Sequence, residues 1–280
     1  MVHKGKMKWR PFVKMHSLGN DFIIFDCTKW TLSNPGHAAK RFLDRRTGIG
    51  ADQLILLVKS RKADFGMRVF NCDGSEAEMC GNGLRCLAVF IRDLKLSLKK
   101  ELKIETLAGI RVVRLVGNSI EADMGEPKLK GKEIPVNLSG RIINRPLKIE
   151  SKDFRITCLS VGNPHCVIFS DDVENFPVEK FGPLLENYHL FPKRINVSFV
   201  NVISKTDLQM RVWERGVGET TSCGTAACAA AVAAVLNGYA ERKINVNQPG
   251  GTLHINWNKE DNHIYLKGPV ELVFRGNIEV

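Results

Sequence analysis

Apolar residues along this chain fall mostly in short runs bounded by Gly, Asn, Asp or Pro, a pattern of strands more than of long helices. Residues 22–26, 53–58, 65–70, 103–106, 111–116, 154–159, 166–169, 196–202, 208–213, 252–257 and 270–274 are rich in β-branched or aromatic side chains and read as strands. Helical spacing is rarer. Residues 37–46 follow an Asn34-Pro35-Gly36 start, and 178–187 carry a weaker helical pattern. Two further helices stand out. One starts near Cys80-Gly81-Asn82-Gly83 and runs to about Leu94, with Leu84, Leu87, Ala88 and Ile91 on one face. The other starts near Cys223-Gly224-Thr225 and runs to Leu236, where Asn237-Gly238 supplies a stop. No charge lies on any face of this second helix, so it is expected to be buried all round. Its small side chains let surrounding strands approach closely.

The pattern repeats. Met67-Arg68-Val69-Phe70 recurs as Met210-Arg211-Val212-Trp213, an offset of 143 (210 less 67). At the same offset Gly19-Asn20 maps to Gly162-Asn163, Gln53 to Asn196, Glu76 to Glu219 and Cys80-Gly81 to Cys223-Gly224. Several matches at one spacing argue for a duplicated module of about half the chain. Each copy would be strands followed by a buried helix with Cys-Gly at its N-terminus. The expectation is two similar α+β domains facing each other, with one thiol contributed by each.

Composition narrows the class. The chain has 280 residues, 44% apolar and 25% charged, which excludes wholesale disorder, collagen-like repeats and coiled coil. The basic first residues are not followed by an apolar signal core, and the uncharged run near 225–236 is too short to span a bilayer. A cytoplasmic protein with no membrane partner is expected. The formal charge of +11 raises the question of nucleic acid, but Lys and Arg are spread along the chain. The densest group, 95–103, also carries leucines and Glu101, and no zinc-finger or aromatic–basic RNA motif is present. A solvated basic surface without a nucleic-acid partner is the expectation. The glycines at 48 and 50 hint at a dinucleotide loop, but Gln53 holds the place of its third glycine and a strand follows.

Eight cysteines are too few for a disulfide scaffold. Cys27, Cys86, Cys158, Cys166 and Cys228 read as small buried apolar residues, while Cys72, beside Asn71 and Asp73, is less clear. The cysteine spacings lack paired C-x₂₋₄-C motifs, so no metal is expected. Cys80 and Cys223 remain. A helix N-terminus offers unpaired amides and partial positive charge; it binds carboxylate and lowers the pKa of a thiol placed there. Two such ends, each with a glycine that lets a ligand approach the backbone, suit one reaction class: inversion of a carbon beside a carboxylate. One thiolate removes the α-proton from one face and the other thiol delivers a proton to the opposite face.

At these residues the sequence resembles the diaminopimelate epimerase family. The matching stretches are Met15-His-Ser-Leu-Gly-Asn-Asp-Phe22, Phe70-Asn-Cys-Asp-Gly-Ser75, Met79-Cys-Gly-Asn-Gly-Leu-Arg-Cys86, Val161-Gly-Asn-Pro-His165, Trp213-Glu-Arg-Gly-Val-Gly-Glu219 and Ser222-Cys-Gly-Thr225. The resemblance implies an α+β fold of two pseudo-symmetric domains, each of mixed strands wrapped around a central helix. On that pattern residues 1–124 form the N-terminal half, joined by a returning strand at about 270–280, and 125–269 form the C-terminal half. It implies interconversion of LL- and meso-2,6-diaminopimelate, in lysine biosynthesis and peptidoglycan precursor supply, with no pyridoxal phosphate, other cofactor or metal.

By the same resemblance Cys80 and Cys223 are the acid/base thiols. The amides of Gly81, Asn82, Gly224 and Thr225 would hold the reacting carboxylate, and Glu214 would orient the reacting amino group. Asn71, Asn196 and Arg215 would hold the distal amino-acid end, and Asn20, Gln53 and Asn163 would line the site. His165 is expected beside it, where it could tune a thiol or serve only the structure. A homodimer is implied, although Phe274 stands where many members have a tyrosine at the dimer contact. Ser17, Cys72 and Ala226 also depart from the usual residues, each small for small. The 1–9 extension reads as a disordered basic tail. Three alternatives stay open: a proline-racemase-like enzyme of the same fold, a basic nucleic-acid-binding protein, and a thiol redox sensor. Arg215 with Asn71 and Asn196 separates the first of these, since a distal zwitterion needs them and proline does not.

Overall fold

The structure, a computed structural model, describes residues 8–116 and 119–280. The chain divides into two compact units: the residues up to Ile120 together with Pro269–Val280, and Glu121–Gly268. The first unit runs β1 (Trp9–Ser17), β2 (Asn20–Asp26), α1 (Pro35–Leu43), β3 (Gln53–Val58), β4 (Phe65–Asn71), β5 (Glu76–Ala77), α2 (Gly81–Asp93), β6 (Glu101–Thr106) and β7 (Gly109–Val116). After β8 (Ser119–Asp123), which leads out of it, the second unit runs β9 (Ile142–Ile149), β10 (Lys152–Ser160), β11 (Pro164–Phe169), α3 (Val178–Glu186), β12 (Asn196–Val202), β13 (Asp207–Glu214) and β14 (Gly218–Thr220). It continues with α4 (Gly224–Leu236), β15 (Lys243–Gln248), β16 (Gly251–Trp257) and β17 (Ile264–Gly268), and β18 (Glu271–Glu279) then returns to the first unit.

The two units share one pairing scheme. In the first, β1 and β2 are antiparallel, β2 and β3 parallel, β3 and β4 antiparallel, β4 and β6 parallel, and β6 and β7 antiparallel. In the second, β10 through β16 pair in the same succession. The bounds of β10, α3 and α4 lie 143 residues beyond those of β1, α1 and α2. The outer partner differs in origin: β9 precedes β10 and pairs with it, whereas β1 pairs with β18 from the far end of the chain.

Each unit wraps strands around a buried helix. α4 packs against β10, β11, β12, β13, β15, β16 and β17, and every residue from Gly224 to Ala234 is buried. An alanine body suits this place, since Ala has the best helix propensity and lets seven strands close over the helix. α2 is also buried from Gly81 through Ala88, and that run includes Arg85 with no exposed surface. A single apolar face is therefore too modest a reading of α2. Aromatic clusters fill the rest. Phe25 and Phe42 belong to the core of the first unit, and Phe176 stacks on Phe199 at 4.2 Å in the second.

Several local readings need correction. Trp9 is not part of a disordered tail: it starts β1, opposite Glu279. Residues 1–7 of that extension lie outside the described residues. α1 begins two residues earlier than its sequence pattern and ends at Leu43, not 46. Asn34 caps its start by accepting the His37 amide, and the Asp44 carboxylate takes the Arg46 and Thr47 amides, so the chain turns instead of continuing helically. β18 runs on to Glu279, well past the 270–274 run. β9 and β15 lacked a strand signal because Pro146 interrupts the first and four polar or charged residues dilute the second, Lys-Ile-Asn-Val-Asn-Gln.

Candidate active site

The first half-site lies where β2 and β3 begin, β4 ends and α2 starts. Cys80 is the N-cap of α2, in extended conformation, and its Sγ accepts the Gly83 amide at 3.3 Å. Gly83 packs closely there: a Cβ would stand 2.7 Å from the Ile55 Cδ1, which would have to move aside. The helix leaves the amides of Gly81 and Asn82 without intrahelical acceptors, which suits them to a ligand carboxylate. Asn82 donates to Asn20 Oδ1 at 3.2 Å, and the same oxygen lies 3.9 Å from the Cys80 sulfur. Asn20 donates in turn to Asp52 at 2.9 Å. Beside this group, in register across β3 and β4, Gln53 donates to Asn71 Oδ1 at 2.9 Å, and Asn71 donates to Ser75 Oγ.

Behind these residues sits Arg85. Its guanidinium donates to Asn82 Oδ1 at 2.8 Å, to the Gly81 carbonyl at 3.3 Å and to Ser17 Oγ, and Ser17 donates to the Pro269 carbonyl. A cation buried near the N-terminus of a helix opposes the helix dipole, so it is held there by those specific bonds. Sequence reasoning gave Arg85 no role; its only signal was its place inside the Met79–Cys86 motif.

The second half-site is built from the equivalent elements. Cys223 caps α4, and its backbone N–H is held by Gln248 Oε1 at 2.8 Å. Its sulfur lies 3.5 Å from Thr225 Oγ1, which accepts from Asn163 at 3.3 Å, and Asn163 Oδ1 meets His165 Nε2 at 2.9 Å. Gly224 and Thr225 supply first-turn amides like those of Gly81 and Asn82. Asn196, in register with His165, donates to the Pro164 carbonyl at 2.8 Å and accepts the Arg215 amide at 3.0 Å. Its amide therefore clamps the turn that carries Arg215. Glu214 accepts from Thr220 at 2.6 Å. Gln248 and Thr220 were not legible as site residues: each acts through one bond to a neighbour distant in sequence or across a hairpin.

The electrostatics differ from the simple helix-terminus expectation. Burial, followed by the Glu214 charge, raises the Cys223 thiol well above its ordinary value, while the Thr225 hydrogen bond opposes that rise. Burial beside a carboxylate favours the protonated thiol and opposes the pull of the helix N-terminus. His165 is fully buried, and desolvation with the nearby Arg215 charge lowers its pKa to about 3. Its imidazole is neutral, so any influence on Cys223 runs through hydrogen bonds and not through a positive charge. Cys72 is exposed, with its sulfur against the Ala51 and Asp52 carbonyls; Cys27, Cys86, Cys158, Cys166 and Cys228 are buried.

Two strand modules, each wrapped on a helix that starts at a cysteine, define the class as a two-domain α+β fold that several solved structures share. The same fold appears in a hydroxyproline epimerase from Agrobacterium vitis, at TM-score 0.70 and 12% identity, covering 99% of this chain and 93% of that one. It appears in a probable proline racemase from Agrobacterium radiobacter K84 (0.72, 12%, 96% and 92%) and in a PhzF-family phenazine biosynthesis protein from Bacillus anthracis (0.68, 18%, 98% and 100%). Identities this low establish the fold alone.

Within that class the chain belongs to the diaminopimelate epimerase family, whose model matches residues 12–130 and 157–273. The diaminopimelate epimerase of Acetivibrio thermocellus is 50% identical over 275 residues, covering 96% of this chain and 98% of that protein. That of Methanococcus maripaludis is 48% identical over 276 residues, covering 96% and 99%.

Proposed function

We infer that this protein interconverts LL- and meso-2,6-diaminopimelate, in lysine biosynthesis and the supply of peptidoglycan precursor, using two of its own cysteines as base and acid. The observation that carries this reading is the pair of Cys-capped buried helices at one offset, in a chain half identical to diaminopimelate epimerases over nearly its whole length.

Cys80 and Cys223 work on opposite faces of one α-carbon. An amino-acid α-proton is very weakly acidic, so its removal needs a stabilised carbanion. The first-turn amides of Gly81, Asn82, Gly224 and Thr225 are the donors available to the reacting carboxylate, fixed before the reaction and favoured by the helix dipoles. Cys223, kept protonated by burial and Glu214, is the proton donor in the resting enzyme. Cys80, the cap of α2, is the matching base in that direction. Turnover in the reverse direction exchanges the roles.

Glu214 accepts the reacting ammonium group. Asn71, Asn196 and Arg215 define the distal end, with Asn196 acting through the Arg215 turn. Asn20, Gln53 and Asn163 complete the lining. His165, neutral, fixes Asn163 and through it Thr225 beside the Cys223 sulfur. The protein works in the cytoplasm as a homodimer, for which Leu272, Val273 and Phe274 of β18 offer an exposed apolar strip.

The test is solvent deuterium incorporation at the α-carbon of LL-diaminopimelate under reducing conditions. Incorporation together with formation of the meso isomer is expected, and no exchange by fresh enzyme refutes the function. Cys80→Ala and Cys223→Ala should each abolish epimerisation; near-normal turnover by either removes the two-base mechanism.

A further inference from the structure

Glu186 ends α3, is almost fully buried, and touches none of the residues that sequence reasoning placed in the site except through one turn. That turn joins β13 to β14 and carries Glu214 and Arg215. It is closed by the Val217 amide on the Glu214 carbonyl at 3.0 Å, with Gly216 at φ +76°. Its two successive amides are each held by a buried side chain from another element. Asn196 Oδ1 takes the Arg215 amide at 3.0 Å, and Glu186 Oε1 takes the Gly216 amide at 2.8 Å. Glu186 Oε1 also accepts from Arg194 at 3.2 Å, and its Oε2 accepts the Trp213 indole N–H at 2.7 Å. One carboxylate thus ties together the residue before Glu214, the residue after Arg215 and the loop that leads into β12. Three donors converge on two oxygens, which only an acceptor-only group satisfies.

The duplication shows that the fold does not itself require this clamp. At the same offset the first unit has Leu43 for Glu186, Asp73 for Gly216 and Cys72 for Arg215. There the turn is held locally, by the Asn71 amide on the Ser75 carbonyl and by Asp73 on Ser75. The buried carboxylate occurs in the copy whose turn carries a guanidinium.

We propose that Glu186 is a positioning residue that fixes the reach of Arg215 and so sets the affinity for the distal amino-acid end of the substrate. The proposal rests on the reading of Arg215 as the ligand of that end. The Arg215 side chain is long and flexible, and it donates to the Lys193 carbonyl at 3.3 Å. Its useful geometry depends on where its backbone is pinned. Loosening one of the two amide clamps lets the guanidinium sample positions away from the substrate, which weakens binding while leaving both thiols and the first-turn amides in place.

The experiment compares Glu186→Gln, Glu186→Asp and Arg215→Ala with the parent enzyme, by steady-state epimerisation of LL-diaminopimelate and by thermal unfolding. Gln sets an NH₂ group against a donor, and Asp withdraws the carboxylate by one methylene. Both are expected to raise KM about tenfold or more, with kcat within about threefold. Arg215→Ala should raise KM at least as much, and adding Glu186→Gln to it should raise KM little further, because the clamp acts through Arg215. A Glu186→Gln or Glu186→Asp enzyme that melts earlier but keeps the parent KM overturns the proposal and leaves Glu186 a structural residue. If Arg215→Ala itself leaves KM unchanged, the reading of Arg215 as distal ligand fails instead. The Asp variant retains the buried charge, so the comparison stands if the Gln variant does not fold.

Discussion

His165 makes acid stability a direct probe of the second half-site. Burial and the Arg215 charge lower its pKa from 6.5 to about 3, so between those values the folded protein keeps a neutral imidazole while the unfolded chain protonates it. Unfolding then takes up a proton, and stability is lost as pH falls below 6.5. The loss is about 1.4 kcal/mol per pH unit, or about 2 kcal/mol between neutrality and about pH 5. His165→Gln removes the titration and can still donate to Asn163. Urea unfolding of both proteins at neutral pH and at about pH 5 gives a double difference in which other titrating groups cancel. The parent should lose about 2 kcal/mol more than the variant. Equal losses would refute the reasoning, as would an imidazole ¹⁵N titration showing His165 protonating near 6.5. Confirmation would also fix its chemical part, since a neutral ring can order Asn163 but cannot stabilise a thiolate by charge.

Three shorter predictions follow from neighbouring observations. Glu214→Gln removes a charge that raises the Cys223 thiol, so the pH at which iodoacetamide labels Cys223, read by peptide mass spectrometry, should move down; no movement would dissociate Glu214 from that thiol. Arg85→Met strands the acceptors on Asn82, Gly81 and Ser17, and should cost about 3 kcal/mol in urea unfolding together with most of the turnover, because leaving buried partners unsatisfied outweighs the removed charge; a stability equal to the parent would contradict that balance. Gly182→Ala places a methyl 2.6 Å from the Trp213 ring, so α3 must shift off β13, and a loss of roughly 1–3 kcal/mol is expected in thermal unfolding.

The parts of this protein governed by local pattern were legible before any coordinates. An uncharged alanine-rich run can only be an interior helix, and the 143-residue offset depends on sequence alone; α4 and the matched bounds of α2 and α4 agree with both. Pattern fails where a strand is recognised only by its partner. β15 has two apolar residues in six, and β1 follows a basic stretch in the sequence; pairing with β13, β16 and β18 makes them strands. The thiols and their glycines were visible through motif and resemblance. Arg85, Glu186 and Gln248 were not, because a charged or polar side chain reads as surface until the tertiary structure encloses it. At Cys223 the sequence shows the helix dipole but not the desolvation that opposes it.

The return of β18 to β1 sets an order of assembly on the ribosome. The Glu121–Gly268 unit has all of its strands, including β9, once β17 has emerged, and it can close while synthesis continues. The earlier-made unit cannot: one edge of β1 waits unpaired until β18 arrives. The half translated first is therefore completed last, and a nascent chain that stops before β18 carries one finished module and one with an open, aggregation-prone edge.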